Sequence, residues 1–124
     1  MILIVGGRNQ GRLGYALSEY NIDKSEVLDC SADSPDGIEN AKIIYKIDEL
    51  IKTVDYDEFL CLYTDRLCDK IVITTETGCG LVPVDKDERL LREKIGRVNC
   101  ALAKAAERVD RVVCGIGQCI KAVK

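Results

Sequence analysis

The apolar and polar positions along the chain change period several times. Ile2–Val5 is an unbroken apolar run of the kind shown by a strand buried on both faces, and it leads straight into Gly6 and Gly7. Leu13, Ala16, Leu17 and Tyr20 then recur at helical spacing, predicting a helix over Leu13–Tyr20 that Gly14 weakens. Glu26–Cys30 predicts a second strand, and Ser31–Gly37, dense in turn formers, a surface loop. Ile43, Ile44, Ile47, Leu50 and Ile51 fit a helix over Glu39–Thr53, although KIIYKI taken alone also passes for a strand. A further helix over Tyr56–Cys68, with Phe59, Leu60, Tyr63 and Leu67 on its apolar face, feeds a strand at Lys70–Thr75.

Glu76–Val84 holds two glycines and a proline and is a loop. Asp87–Val109 reads as the longest helix, with Leu91, Ile95, Val98, Leu102, Ala105, Ala106 and Val109 along one stripe. Arg111–Cys114 is the last predicted strand, before Gly115-Ile116-Gly117 and a short basic tail. Strands alternating with helices, without a repeat or linker, predict an α/β fold: one three-layer domain over residues 1–124 with a mostly parallel sheet. Such sheets bind ligands outside the carboxyl ends of their strands, an edge that collects the Gly6–Leu13 turn, Asp29 and Glu76.

Composition narrows the chemistry. With 124 residues, 47% hydrophobic and 31% charged, the chain is an ordinary globular domain. A net charge of −3, with 18 basic residues scattered among 21 acidic ones, gives no nucleic-acid or membrane surface. The opening apolar run is too short for a secretion signal or a membrane span, so the expected location is cytoplasmic. Seven cysteines form an odd set with no C-x-x-C pair and no histidine to complete a mixed zinc site, so they read as reduced thiols. Cys61, Cys100 and Cys114 fall in apolar patterns and are expected in the core, whereas Cys79, between Gly78 and Gly80, is expected in an exposed loop. The absence of histidine removes the commonest general base, metal ligand and covalent carrier, leaving carboxylates, cations and backbone.

Gly6–Leu13 matches the two glycines of the phosphate-binding pattern G-x-x-x-x-G-K-[ST] but places Arg12 and Leu13 where Lys and Ser/Thr belong. Gly7, Gly11 and Gly14 give only a shifted form of the dinucleotide fingerprint, with Asp29 where an acid would take a ribose hydroxyl. The first fourteen residues therefore leave phosphate binding, a plain tight turn and dinucleotide binding open. Asp29, ending an apolar strand, stands where a carboxylate would hold magnesium, or is a loop-solvated acid. Glu76 either orients a metal-bound water or bonds its own turn. On the long helix Arg89, Arg92, Arg97 and Lys104 interleave with Glu88, Glu93 and Glu107, the pattern of a solvated face.

Lys70–Lys121 carries a more specific signal: Thr75–Pro83 (TETGCGLVP), then Gly96–Asn99 (GRVN) on a helix, then Val112–Gly117 (VVCGIG). In this order and spacing the segment resembles the C-terminal half of the bifunctional adenosylcobinamide kinase/adenosylcobinamide-phosphate guanylyltransferase family of cobalamin biosynthesis. The resemblance implies a P-loop NTPase-like fold, GTP or ATP held by Gly6, Gly7, Arg8, Asn9, Gln10, Gly11, Arg12 and Leu13, and Mg2+ facing Asp29 and Glu76. It further implies a cobinamide-type second ligand and a homo-oligomer. The family's guanylyl transfer runs through a histidine, which no residue of this chain supplies. Arg12 keeps the positive charge as a planar fork, while Leu13 cannot offer a hydroxyl to magnesium, so metal-dependent kinase chemistry suffers more than phosphate binding. A non-catalytic binding or assembly protein with a relic loop is the alternative.

Overall fold

A computed structural model describes residues 1–76 and 85–123. Its centre is a six-stranded sheet in the order β2-β3-β4-β1-β5-β6. The strands are β1 (Ile2–Val5), β2 (Val27–Asp29), β3 (Ile43–Tyr45), β4 (Ile71–Ile73), β5 (Arg108–Val113) and β6 (Ile116–Ala122). The first five run parallel, and β6 returns antiparallel along β5 with a bulge at Val109/Asp110. The helices are α1 (Arg12–Glu19), α2 (Ile47–Ile51), α3 (Tyr56–Tyr63) and α4 (Lys86–Ala105), with short 3-10 turns at Lys24–Glu26 and Pro35–Asn40.

Strand alternation sorts the core into two layers. Leu3, Ile44, Val72 and Val109 point to the face covered by α2, α3 and α4, joining Leu50, Ile51, Phe59, Val98 and Leu102. Ile4, Ile43, Ile73 and Val112 point to the other face, where α1 seats Ala16 with Leu13, Leu17 and Tyr20 packed around it. Because both faces are covered, β1 and β4 have no polar side. The result is a three-layer α/β fold with a mostly parallel sheet, as the alternation of elements predicts.

Three local expectations are corrected. The helix expected over Glu39–Thr53 is instead a 3-10 turn, strand β3 and the short helix α2. Its isoleucines satisfy both periods, and pairing of Ile43 and Ile44 between β2 and β4 settles the choice. The long helix stops at Ala105, so Arg108–Val109 begins β5, and the expected tail is β6. Cys61, Cys100 and Cys114 are exposed. Cys61 lies two positions from both Phe59 and Tyr63, and Cys100 two from both Val98 and Leu102, which turns each away from the buried face of its helix. Cys114 occupies the β5–β6 turn with φ 52. Cys79 and the rest of the loop after Glu76 lie outside the described residues.

Candidate functional site

β1 lies inside the sheet, flanked by β4 and β5, and it delivers the glycine-rich turn to the carboxyl edge. Gly11 is the N-cap of α1 with φ 80, a left-handed conformation that glycine adopts without strain, and no side chain caps the helix. The start of α1 thus presents backbone N–H groups and the positive end of its dipole to whatever lies above the turn. The turn is braced on both sides. Glu76 N–H donates to the Gly6 carbonyl at 2.8 Å. Across β5, Gly115 N–H donates to the Gln10 carbonyl at 2.7 Å and Cys114 N–H to Gln10 Oε1 at 2.7 Å.

Arg12 does not project from the turn. The residue is 8% exposed and its side chain passes towards β4, where Nη1 donates to the Thr74 carbonyl at 2.5 Å and to Thr75 Oγ1 at 3.0 Å. Burial holds its pKa below the ordinary arginine value, against the opposing pull of Tyr45 and Asp48. The end of β4 is itself clamped by the long helix. Thr74 Oγ1 donates to Asn99 Oδ1 at 2.7 Å, and Asn99 Nδ2 donates to the Thr75 carbonyl at 3.0 Å, which gives the GRVN segment its place beside the site.

Beside Arg12 opens a cavity of about 350 Å³ whose lining mixes the cations Arg8, Arg12 and Lys46 with Asp48, Glu49 and Thr75. Asp48 is buried, with Oδ1 3.5 Å from Thr75 Oγ1, and Glu49 accepts from Lys52 at 3.0 Å. Asp48 and Lys46 are absent from the residues the sequence points to. The signal was hidden by the helix reading of Glu39–Thr53: once Ile43–Tyr45 is a strand, Lys46–Glu49 falls at its carboxyl end.

Parallel pairing places the turn, Asp29 and Glu76 on one edge, but spread along it. Asp29 ends the edge strand β2, with β3 and β4 between it and β1. Its Oδ1 accepts from Ser31 N–H at 2.9 Å and Ser31 Oγ at 2.6 Å. Burial alone would raise this carboxyl, but the Ser31 bonds and the Lys46 charge carry it below the usual value. Glu76 is held by Arg111, with Nε to Oε1 at 2.9 Å and Nη2 to Oε2 at 3.3 Å.

The fold class implies magnesium, so the donor set is the test. Leu13 supplies no oxygen, Glu76 commits both oxygens to Arg111, and Asp29 is engaged by its own loop. Among the described residues no three His, Cys, Asp or Glu side chains converge. Asp29 and Glu76 are therefore occupied elsewhere, and the carboxylate that would hold such an ion beside substrate phosphates is Asp48, which lines the cavity with Thr75.

A central parallel strand entering a glycine-rich turn and an uncapped helix, inside three α/β layers, defines a P-loop NTPase-like protein. The chain belongs to the cobinamide kinase / cobinamide phosphate guanyltransferase family, whose model matches residues 41–120. It is 47% identical over 51 residues to the bifunctional adenosylcobalamin biosynthesis protein CobU of Salmonella typhimurium strain LT2, and equally to that of Escherichia coli strain K12. The aligned segment is 41% of this chain and spans only 28% of the length of each relative. The family match begins beyond both the Gly6–Leu13 turn and Asp29, so their roles are argued from geometry.

Proposed function

We propose that this chain is a nucleotide-binding protein of cobalamin biosynthesis that takes GTP or ATP at the turn formed by Gly6, Gly7, Arg8, Asn9, Gln10, Gly11, Arg12 and Leu13. The observation that carries this reading is the uncapped start of α1, set immediately after the central strand with Gly11 in the left-handed conformation. Residues 1–124 act in it as a single domain, a cobinamide-type molecule is the second ligand, and copies of the chain assemble with one another. Guanylyl transfer through histidine is not part of the reading, because the chain contains no histidine. Phosphoryl transfer is the weaker version, because Leu13 cannot place a hydroxyl on a metal. Binding without catalysis is the version the site favours.

The test is thermal unfolding with GTP or ATP, in buffers with Mg2+ and with EDTA. Nucleotide at about 100 times its Kd stabilises a folded protein by about 2.7 kcal/mol. For a domain of this size that raises Tm by roughly 10 °C. No rise with either nucleotide at millimolar concentration, in either buffer, sinks the proposal. Protection by NAD without protection by GTP would move the site to the dinucleotide class. A phosphoryl-transfer assay with cobinamide is expected to stay at background.

A further inference from the structure

On the nucleotide-binding reading just given, we infer that Asn99, in the GRVN segment of α4, is a positioning residue of the site: it fixes the end of β4, and the end of β4 seats the Arg12 guanidinium at the cavity wall. The Asn99 carboxamide spans two consecutive residues. Its Nδ2 donates to the Thr75 carbonyl at 3.0 Å, and its Oδ1 accepts from Thr74 Oγ1 at 2.7 Å. A carbonyl can only accept, so the Thr75 bond decides which end of the amide is the nitrogen and leaves Oδ1 to take the Thr74 proton. Arg12 Nη1 uses the two acceptors that remain, the Thr74 carbonyl and Thr75 Oγ1. Each threonine thus meets Asn99 with one polar group and Arg12 with the other.

The sheet does not hold this segment by itself. On the β1 side Thr74 N–H donates to the Ile4 carbonyl at 2.9 Å, but pairing with β3 stops at Ile44 and Val72. Beyond that point the Thr75 carbonyl takes its bond from Asn99. Local preference does not account for an asparagine inside a 20-residue helix, where alanine is the better former. Its bonds across to β4 do. What depends on them is the direction of a planar fork: the guanidinium presents its donors in fixed directions, so a turn of the group displaces every donor that could meet a phosphate oxygen. Arg12 lines the cavity, and its seat is set by two acceptors that Asn99 holds in place.

Titration calorimetry of the full chain with GTP and with ATP, in excess Mg2+, tests this as a double-mutant cycle with Arg12→Met. Asn99→Ala should weaken nucleotide binding about fivefold, the order of one lost hydrogen bond. In the Arg12→Met background the same change should cost less than about twofold, because the group that Asn99 positions is gone. Equal losses in the two backgrounds overturn the inference and leave the nucleotide reading standing. So does an Asn99→Ala protein that binds with wild-type affinity and shows only a lower urea midpoint, the mark of a purely structural residue. A second pair of variants needs no change in α4. Thr74→Val removes the hydroxyl that Asn99 accepts and should weaken binding, whereas Thr74→Ser keeps it and should bind within about twofold of wild type. Equal losses in valine and serine variants also overturn the inference. Binding by no form of the chain, wild type included, sinks the nucleotide reading and this inference together.

Discussion

Helix α1 is tied to the sheet through a buried charge near each end, and the two charges are satisfied in opposite ways. Near its C-terminal end, Asp110 on β5 is fully buried and accepts from Tyr15 Oη at 2.9 Å, Tyr20 Oη at 2.5 Å and Arg108 Nε at 2.9 Å. At its first residue, Arg12 is nearly as buried, but its hydrogen-bond partners among the described residues are a backbone carbonyl and a hydroxyl, both neutral. Asp110 is a closed unit: three donors from the chain stabilise its charge, and the group packs under the helix. Arg12 makes no ion pair among the described residues and lies against a cavity whose lining includes the Asp48 carboxylate. The first arrangement suits a structural anchor, and the second a binding site, where solvation lost by the cation is restored by a ligand anion.

The largest expected effect falls on the anchor. Asp110→Ala strands two phenols and Arg108 under α1 and should cost about 3 kcal/mol in urea denaturation, in line with breaking a buried charged network. A loss below about 1 kcal/mol would mean that the network is not closed. Gly117→Ala attacks the same anchor from β6. A Cβ there would run into the Tyr15 ring, so Tyr15 must shift off Asp110, with an expected cost of about 2 kcal/mol. Wild-type stability in that variant would show that Tyr15 is not wedged between β6 and Asp110.

At the other end, Arg12→Met should lose only about 1 kcal/mol of stability, because methionine fills much of the same space and the acceptors left behind sit beside a cavity. Nucleotide affinity should drop about tenfold. The comparison fails if the losses reverse, with Arg12→Met unfolding the protein and Asp110→Ala weakening nucleotide binding in the molecules that remain folded.

The smallest effect is on pH dependence. Burial, with the bond to Asp110, pushes the Tyr15 phenol up to about 12 and raises Tyr20 as well. A phenol whose pKa is higher folded than unfolded keeps its proton in the native state while the unfolded chain releases it. Stability should then fall as pH rises from about 10, the ordinary tyrosine value, towards 12. Tyr15→Phe with Tyr20→Phe should flatten that alkaline limb relative to wild type in denaturation midpoints. On the acid side, burial would raise Asp110, but its bonds to Tyr20, Arg108 and Tyr15 leave it below the usual carboxylate range. Its contribution should persist down to about pH 4 and fade below that.

Much of the fold can be read along the chain, and the failures share a cause. β1 and β4 are legible because apolar runs bounded by Gly or polar residues have few other solutions. β3 is not, because Ile43, Ile44, Ile47, Leu50 and Ile51 fit a helix as well as a strand followed by a turn of helix, and only the pairing with β2 and β4 breaks the tie. β6 escapes because Ile116 and Ile120 stay exposed, so no face of that strand is marked as buried. At the site, the same ambiguity that hides β3 hides Lys46 and Asp48.

The sequence by itself determined the alternation of elements, the glycine-rich turn after the first strand, the lack of any imidazole and the family signature running from Thr75 to Gly117. These are local or compositional properties, readable without knowing what packs on what. Tertiary structure alone decided where the charges go. Arg12 turns inward because Thr74 and Thr75, more than sixty positions away, end the neighbouring strand within its reach. Asp110 is an anchor because α1 lays Tyr15 and Tyr20 over β5. Glu76 is lost to Arg111 because parallel strands bring their carboxyl ends to one edge. A charged residue's role depends on the partners that meet it, and here those partners come from distant parts of the chain.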